Sequence, residues 1–236
     1  AAATLCGCAK NDANTLKMIT EATFPPYEFL RGQEIVGIDV EICKAVAAKL
    51  GRSFAVESVN FDSVIPTVIS GKADLAAAGI TITEDRKKNV DFSIPYVKTG
   101  VVFVYKKATP YAKGADAKGK KVGVQSGTTS EAFVTDELKQ QPERFDSPAA
   151  AVAALKAGRV DVVIADIDPA KNCVKGEPDL ALSGFITSEE YAVAIRKGQP
   201  ELLKAINETI AEAKADGRLA KWVADYTAEA DRLKEK

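Results

Sequence analysis

The sequence predicts an α/β protein of two lobes, each a mostly parallel sheet flanked by helices, and three observations predict it. Short apolar runs alternate with helical patterns, the mark of parallel sheets assembled from βαβ units. A polar, lysine-rich stretch at 106–120 interrupts that rhythm, and the alternation then starts again. From about residue 191 the chain returns to the character of its first part, so the middle segment is reached and left by two crossings. With 236 residues and 46% apolar composition, there is chain enough for a buried core in each lobe.

In order along the chain, residues 16–20 read as the first strand and 39–50 as an amphipathic helix closed by Gly51, with Cys43 inside it as a small hydrophobe. Residues 54–59 form the next strand, 63–70 a short helix that carries Pro66 and stops at Gly71, and 73–78 a third strand. Residues 101–105 are strongly β. Past the lysine-rich break come a strand at 121–124, a helix at 130–140, a strand near 144–146 and a helix at 149–157 followed by Gly158. A strand at 160–165 and a helix from about Pro169, holding Cys173, complete the middle segment. Residues 191–196 alternate like a strand, and 201–216 set Leu202, Leu203, Ile206 and Ile210 on one helical face with Gly217 past the end. Trp222, Val223 and Tyr226 continue an apolar face in the last helix; Trp222 either stacks on a ligand or anchors the core, and its helical spacing favours the core. Strands at about 101–106 and 188–193 supply the crossings, which divides the chain into 15–104 with 192–236 for one lobe and 105–191 for the other.

Composition removes several function classes. A net charge of −1 provides no electrostatic reason to expect nucleic acid or an anionic membrane surface as partner. The absence of histidine takes away the commonest general base and the commonest zinc ligand, so no metal or other cofactor is expected. Cys6, Cys8, Cys43 and Cys173 fit neither zinc knuckles nor a Cys-x-x-Cys redox motif. Leu5-Cys6-Gly7-Cys8 resembles the lipobox of a bacterial lipoprotein signal, which makes Cys8 a candidate lipidation site and 1–14 a signal remnant and tether. No charged or apolar leader precedes it, so the numbered chain reads as a shortened precursor; no later window approaches the ~20 apolar residues of a membrane span.

The most informative stretch is 78–86, where an apolar strand opens into a small, hydroxyl-rich turn and ends on Arg86. Gly79 lets the main chain come close to a ligand with no Cβ in the way and is counted with the ligand-binding residues, Thr81 offers a hydroxyl and an N–H, and Arg86 can grip a carboxylate with two charge-assisted hydrogen bonds. The same residues also read as a strand followed by a helix capped by Thr83, with Glu84 and Asp85 in its first turn. Asp166 ends the apolar run 162–165, at the carboxyl edge where open α/β sheets bind ligands. It reads alternatively as a helix N-cap, a task for which Asp168 is better placed.

Five segments together, Thr20–Phe29, Val36–Glu41, Phe61–Pro66, Gly79–Arg86 and Val122–Thr129, make the chain from Leu16 to about Tyr226 similar to the extracytoplasmic solute-binding proteins of polar amino-acid ABC transporters. The resemblance implies the two-lobed periplasmic-binding-protein fold, with a cleft that closes on its ligand. It further implies Arg86 on the ligand α-carboxylate, helped by N–H groups near Thr81 and Thr128 or Thr129, and Asp166 on the α-ammonium. Phe24 and Phe61 match aromatic positions that sandwich the ligand side chain, and each also has a plain core reading. Glu21 would face the distal end of that side chain, and its Thr-Glu-Ala context looks most like arginine binders. A carboxylate between aromatic faces suits a guanidinium or ammonium, and can equally accept from the amide of glutamine. Gln125 stands where some glutamine binders carry lysine, which leaves Glu21 less neutralised and favours a cationic ligand.

The expected function is capture of arginine, or else lysine, ornithine or glutamine, outside the cytoplasm by a monomer that hands it to a membrane permease. The competing classes are a dehydratase-type enzyme on the same fold, with Glu21 as general acid, and a sensory domain. Asp166 retained beside Arg86 speaks against the enzyme, because together they describe a trap for a zwitterion. No catalytic residue is assigned.

Overall fold

The computed structural model describes residues 14–233; Cys6 and Cys8 therefore lie outside the described residues. The chain begins with β1 (Thr15–Thr20), then a small antiparallel sheet of β2 (Thr23–Phe24), β3 (Glu28–Arg31) and β4 (Glu34–Val36). Gly37, at φ 138°, turns the chain into α1 (Ile38–Lys49); a Cβ there would lie 2.0 Å from the Tyr27 carbonyl oxygen, so only glycine fits. Next come β5 (Ser53–Ser58), α2 (Phe61–Ile69), β6 (Leu75–Ala76), the one-turn α3 (Glu84–Lys87) and β7 (Val90–Phe92).

The second sheet opens with the ten-residue β8 (Val97–Lys106). It is followed by β9 (Val122–Gln125), the short α4 (Thr129–Ala132), β10 (Glu143–Phe145) and α5 (Pro148–Lys156). Then come β11 (Val162–Asp166), α6 (Ile167–Val174), β12 (Leu180–Leu182) and β13 (Thr187–Tyr191). The chain returns to the first sheet with β14 (Ala194–Arg196) and ends in α7 (Pro200–Ala215) and α8 (Arg218–Leu233).

Each sheet is parallel from one edge and antiparallel toward the other. The first runs β5-β1-β6-β14-β7, parallel across β5, β1 and β6 and antiparallel at β14 and β7. The second runs β10-β9-β11-β8-β12, with β13 also on β8; β10, β9 and β11 are parallel and the others antiparallel to β8. At this border β8 and β13 are the strands that adjoin the crossings; β8 runs against the parallel strands of the sheet, and β13 against β8. Residues 191–196, expected as one strand, are two, because the chain changes sheets between Tyr191 and Ala194. Likewise the whole of 97–106 belongs to the second sheet, where its full length is paired by β11, β12 and β13. The crossings therefore lie near 93–97 and 191–194, side by side, joined by Ser93 N–H to Val193 O at 2.9 Å and Tyr96 N–H to Tyr191 O at 2.9 Å.

Both sheets are covered on two faces, and the period-two alternation of their strands decides which side chain goes where. In the first lobe, Leu16 and Met18 pack with Ile38, Ile42 and Val46 of α1 and Ile206 and Ile210 of α7, whereas Ile19, Ala76 and Ala78 pack with Val64 and Val68 of α2. Trp222 and Tyr226 rest against the former cluster, so Trp222 is a core anchor. In the second lobe, Val102 and Val104 face α5 and α6 while Val101 and Phe103 face Tyr111, Val134 and Leu138. Cys43 is fully buried in the first-lobe core and Cys173 packs against the α5–α6 cluster. The helix expected at 130–140 is α only through Ala132 and then widens into a π-turn over Phe133–Glu137. Among the described residues no helix is long and apolar enough to cross a membrane.

Candidate functional site

The carboxyl ends of β1, β6, β9 and β11 meet between the lobes, and with them the residues singled out from sequence. Glu21 follows β1 and is buried; its Oε1 accepts from the Thr23 hydroxyl at 2.6 Å and its Oε2 from Gln125 Nε2 at 3.3 Å, a bond between the lobes. Burial raises the Glu21 carboxyl above its ordinary range, opposed by those two hydrogen bonds. Gln125 also donates from Nε2 to the Asp146 carbonyl at 3.0 Å. Both amide protons are thereby directed to protein acceptors, and the amide adds an acceptor oxygen beside Glu21.

The 79–86 segment is organised by tertiary contacts that sequence alone did not reveal. Gly79 has φ +55°, and a Cβ there would stand 2.7 Å from the Phe24 ring, so its missing side chain makes room for Phe24 and Tyr191 rather than for a ligand. Its N–H donates to Asp39 Oδ2 at 2.9 Å, and the same oxygen accepts from the Tyr96 hydroxyl at 2.7 Å. Thr83 caps α3 through Oγ1, accepting from Arg86 N–H at 3.2 Å, so the capping reading holds and helps fix where Arg86 starts. Arg86 NH1 donates to the Thr81 carbonyl at 2.8 Å and NH2 to the Gly127 carbonyl of the other lobe at 3.0 Å, and its guanidinium lies 5.5 Å from the Phe61 ring centroid. Each terminal nitrogen carries a second N–H, which leaves the paired donors a carboxylate would need.

Phe24 belongs to the first-lobe core and also borders the site, with ring centroids 5.8 Å from Tyr27 and 6.3 Å from Tyr191; Phe61 is half-buried at the start of α2. Thr128 caps α4, accepting from Glu131 N–H at 3.3 Å and donating to the Gln125 carbonyl at 2.7 Å, and Thr129 is the first helical residue.

Asp166 occupies the position before α6, yet its side chain makes no capping bond; it accepts instead from the Tyr191 hydroxyl. Asp168 is not the cap either: it accepts from the Tyr27 hydroxyl of the first lobe at 2.7 Å. Burial and the neighbouring charge of Glu189 raise the Asp166 carboxyl, against the pull of the Tyr191 hydroxyl and Arg86. The charges of Arg86 and Asp166, on opposite lobes, thus act on each other.

Three acidic residues of this region escaped sequence reasoning: Asp39, Glu28 and Glu189. Only the Gly-Ile-Asp-Val-Glu segment that opens the first helix carried a signal, and it did not tell a buried carboxylate from a first-turn charge.

The model of bacterial extracellular solute-binding proteins, family 3, matches residues 16–229. The chain belongs to that family. Its members are extracytoplasmic binding components of transport systems, and the two-lobed architecture above is the family's. Among relatives, a putative ABC transporter arginine-binding protein 2 of Escherichia coli is 34% identical over 87% of this chain and 87% of its own. The amino acid ABC transporter substrate-binding protein AbpA of Streptococcus pneumoniae, solved with L-arginine, superposes with a TM-score of 0.86 at 34% identity, over 93% of this chain and 97% of its own. An ancestral arginine-binding protein solved with glutamine superposes with a TM-score of 0.83 at 42% identity, over 90% of this chain and 97% of its own.

Proposed function

We propose that this family member binds a free basic amino acid, L-arginine first, between its lobes outside the cytoplasm and presents it to an ABC permease. The observation that carries the reading is the buried carboxylate of Glu21, fastened across the lobes to Gln125, in the same interlobe region as Arg86 and Asp166, whose charges act on each other. A zwitterion satisfies the second pair, its carboxylate on Arg86 and its ammonium on Asp166, with Thr81, Thr128 and Thr129 beside them. What remains is negative, so a cationic side chain between Phe24 and Phe61 restores charge balance where an uncompensated buried charge would cost several kcal/mol. Ligand contacts drawn from both lobes favour the closed form, and the permease reads that form.

Glutamine is the second reading, favoured by the 42%-identical ancestral protein solved with it and by the ability of Glu21 to accept an amide N–H. A thermal-shift screen of the twenty amino acids, followed by calorimetry, separates the two. Arginine and lysine should raise the melting temperature most; glutamine alone raising it replaces the cationic reading, and no response to any amino acid rejects both. Anchoring through a lipidated Cys8 is part of the same proposal, checked by whether the full precursor sediments with membranes of its host.

A further inference from the structure

Glu189 lies on β13, buried at 8% exposure. Its Oε2 accepts from the Thr81 hydroxyl, and its charge acts on both Arg86 and Asp166. Because β13 ends at Tyr191, one strand supplies the two groups that hold the acid pole: Glu189 on Thr81 and the Tyr191 hydroxyl on Asp166. We propose that Glu189 is a positioning residue for ligand capture: it fixes the Thr81 hydroxyl as an acceptor and, as a second carboxylate beside Asp166, strengthens the pole that receives the α-ammonium. This inference rests on the amino-acid reading above.

A hydroxyl has one proton, and here it points to Glu189, so Thr81 Oγ1 turns only lone pairs toward the crevice. An ammonium carries three donors and no acceptor, which suits a pole built from Asp166, Glu189 and Thr81 Oγ1. The like charge of Glu189 also raises the Asp166 carboxyl, after burial the largest cause of that shift. The groups facing the pair are Arg86 from α3, Tyr191 on the same strand, and Tyr27 and Glu28 from the first lobe; Thr99 is the partner of Glu189 across β8. Arg86 is the cation among them, and it favours the ionised form of Asp166. Asp166 must be ionised to meet an ammonium, so affinity is present above its raised value and falls as pH drops through it.

The test is the pH profile of L-arginine binding by calorimetry, from about pH 5 to 8.5, for wild type, E189Q, E189D and E190Q. Glu190 pairs with Lys98 at 3.5 Å on the surface and serves as the neighbouring control. In E189Q, affinity at pH 8 should fall about tenfold, the scale of one charge-assisted hydrogen bond, and the acidic midpoint should move down by about half a unit or more. E189D, which keeps the charge, should retain the wild-type midpoint, and E190Q should follow wild type throughout. An E189Q profile superimposable on wild type, or one with lowered affinity and an unmoved midpoint, overturns the proposal. Should E189Q fail to fold, a displaced midpoint in E189D overturns it equally. Wild-type protein that binds no arginine refutes the ligand reading and this inference together, whereas normal wild-type binding with an unaltered E189Q refutes this inference alone.

Discussion

Arg86 makes two bonds to backbone carbonyls, one in each lobe, and is the cation among the charges that act on Asp166. Its replacement by alanine should leave the fold intact, because the side chain is only half-buried, but should weaken arginine binding roughly a hundredfold or more, the scale of a lost bidentate ion pair. Near-normal affinity in a calorimetric titration of R86A would remove it from the site. Asp39 makes a separate prediction. Burial lifts its carboxyl from 3.8 to about 6, although the Gly79 N–H and the Tyr96 hydroxyl pull the other way, and burial and the charge of Asp39 push the Glu28 carboxyl beside it well above its ordinary range. A carboxyl whose folded value is the higher one keeps its proton longer in the folded state, so its contribution is intact below the unfolded value and is lost as pH rises toward about 6. A displacement of two units corresponds to roughly 3 kcal/mol. In D39N that loss is absent, so urea midpoints should show wild type losing ground to D39N between about pH 4 and 7; a constant gap between the two proteins would contradict this. Arg86 and Asp166 could be singled out in the sequence because each breaks a local pattern, at a strand end or in a turn of small residues, whereas Glu21 was singled out only through the family resemblance. Asp39 and Glu189 were not, since a carboxylate buried by partners 40 and 108 positions away resembles any surface acid in one dimension.

At the scale of elements, the site depends on a short loop being pulled into place from three sides: Asp39 takes the Gly79 N–H, Phe24 occupies the space above Gly79, and Tyr191 bridges to Thr81. Ala at 79 would need both φ +55° and a Cβ 2.7 Å from the Phe24 ring, a combination that costs about 1–3 kcal/mol. G79A should therefore melt lower and bind arginine several-fold more weakly; an unchanged melting curve would show that the ring can give way without cost. Long periodic elements such as α1 and α7 were readable to within a residue or two, because their apolar stripes are set by the core they cover. The small sheet of β2, β3 and β4 was not, since its strands are of two to four residues and too short to display a period. The π-turn at Phe133–Glu137 also escaped, as the local pattern stays helical while the hydrogen bond from Leu138 N–H reaches back five residues to Phe133 at 3.2 Å.

At the scale of the molecule, the two cores are separate, and the lobes meet through polar contacts that include Gln125 to Glu21, the Thr81 hydroxyl to Glu189, Arg86 to Gly127, Tyr27 to Asp168, and Lys175 at the end of α6 to Asp231 of α8 at 3.2 Å. Water can take over the partners of these groups when the lobes part, while no apolar core has to be opened, so separating the lobes is a matter of a few hydrogen bonds rather than of unfolding. The Tyr27–Asp168 bond is the informative one to cut, because Tyr27 is held by first-lobe aromatics and Asp168 by the first turn of α6, and neither is assigned to the ligand. Y27F keeps the ring and removes only the bridging hydroxyl. Losing a hydrogen bond to a charged acceptor weakens the closed form by roughly 1–2 kcal/mol, and since the ligand must then supply that difference, arginine affinity should fall about five- to thirtyfold. Small-angle scattering should show unliganded Y27F more extended than unliganded wild type, and the two should coincide once saturated with arginine. Equal scattering without ligand, together with equal affinity, would mean that the bond contributes nothing to closure and that the remaining contacts set the balance between open and closed jaws.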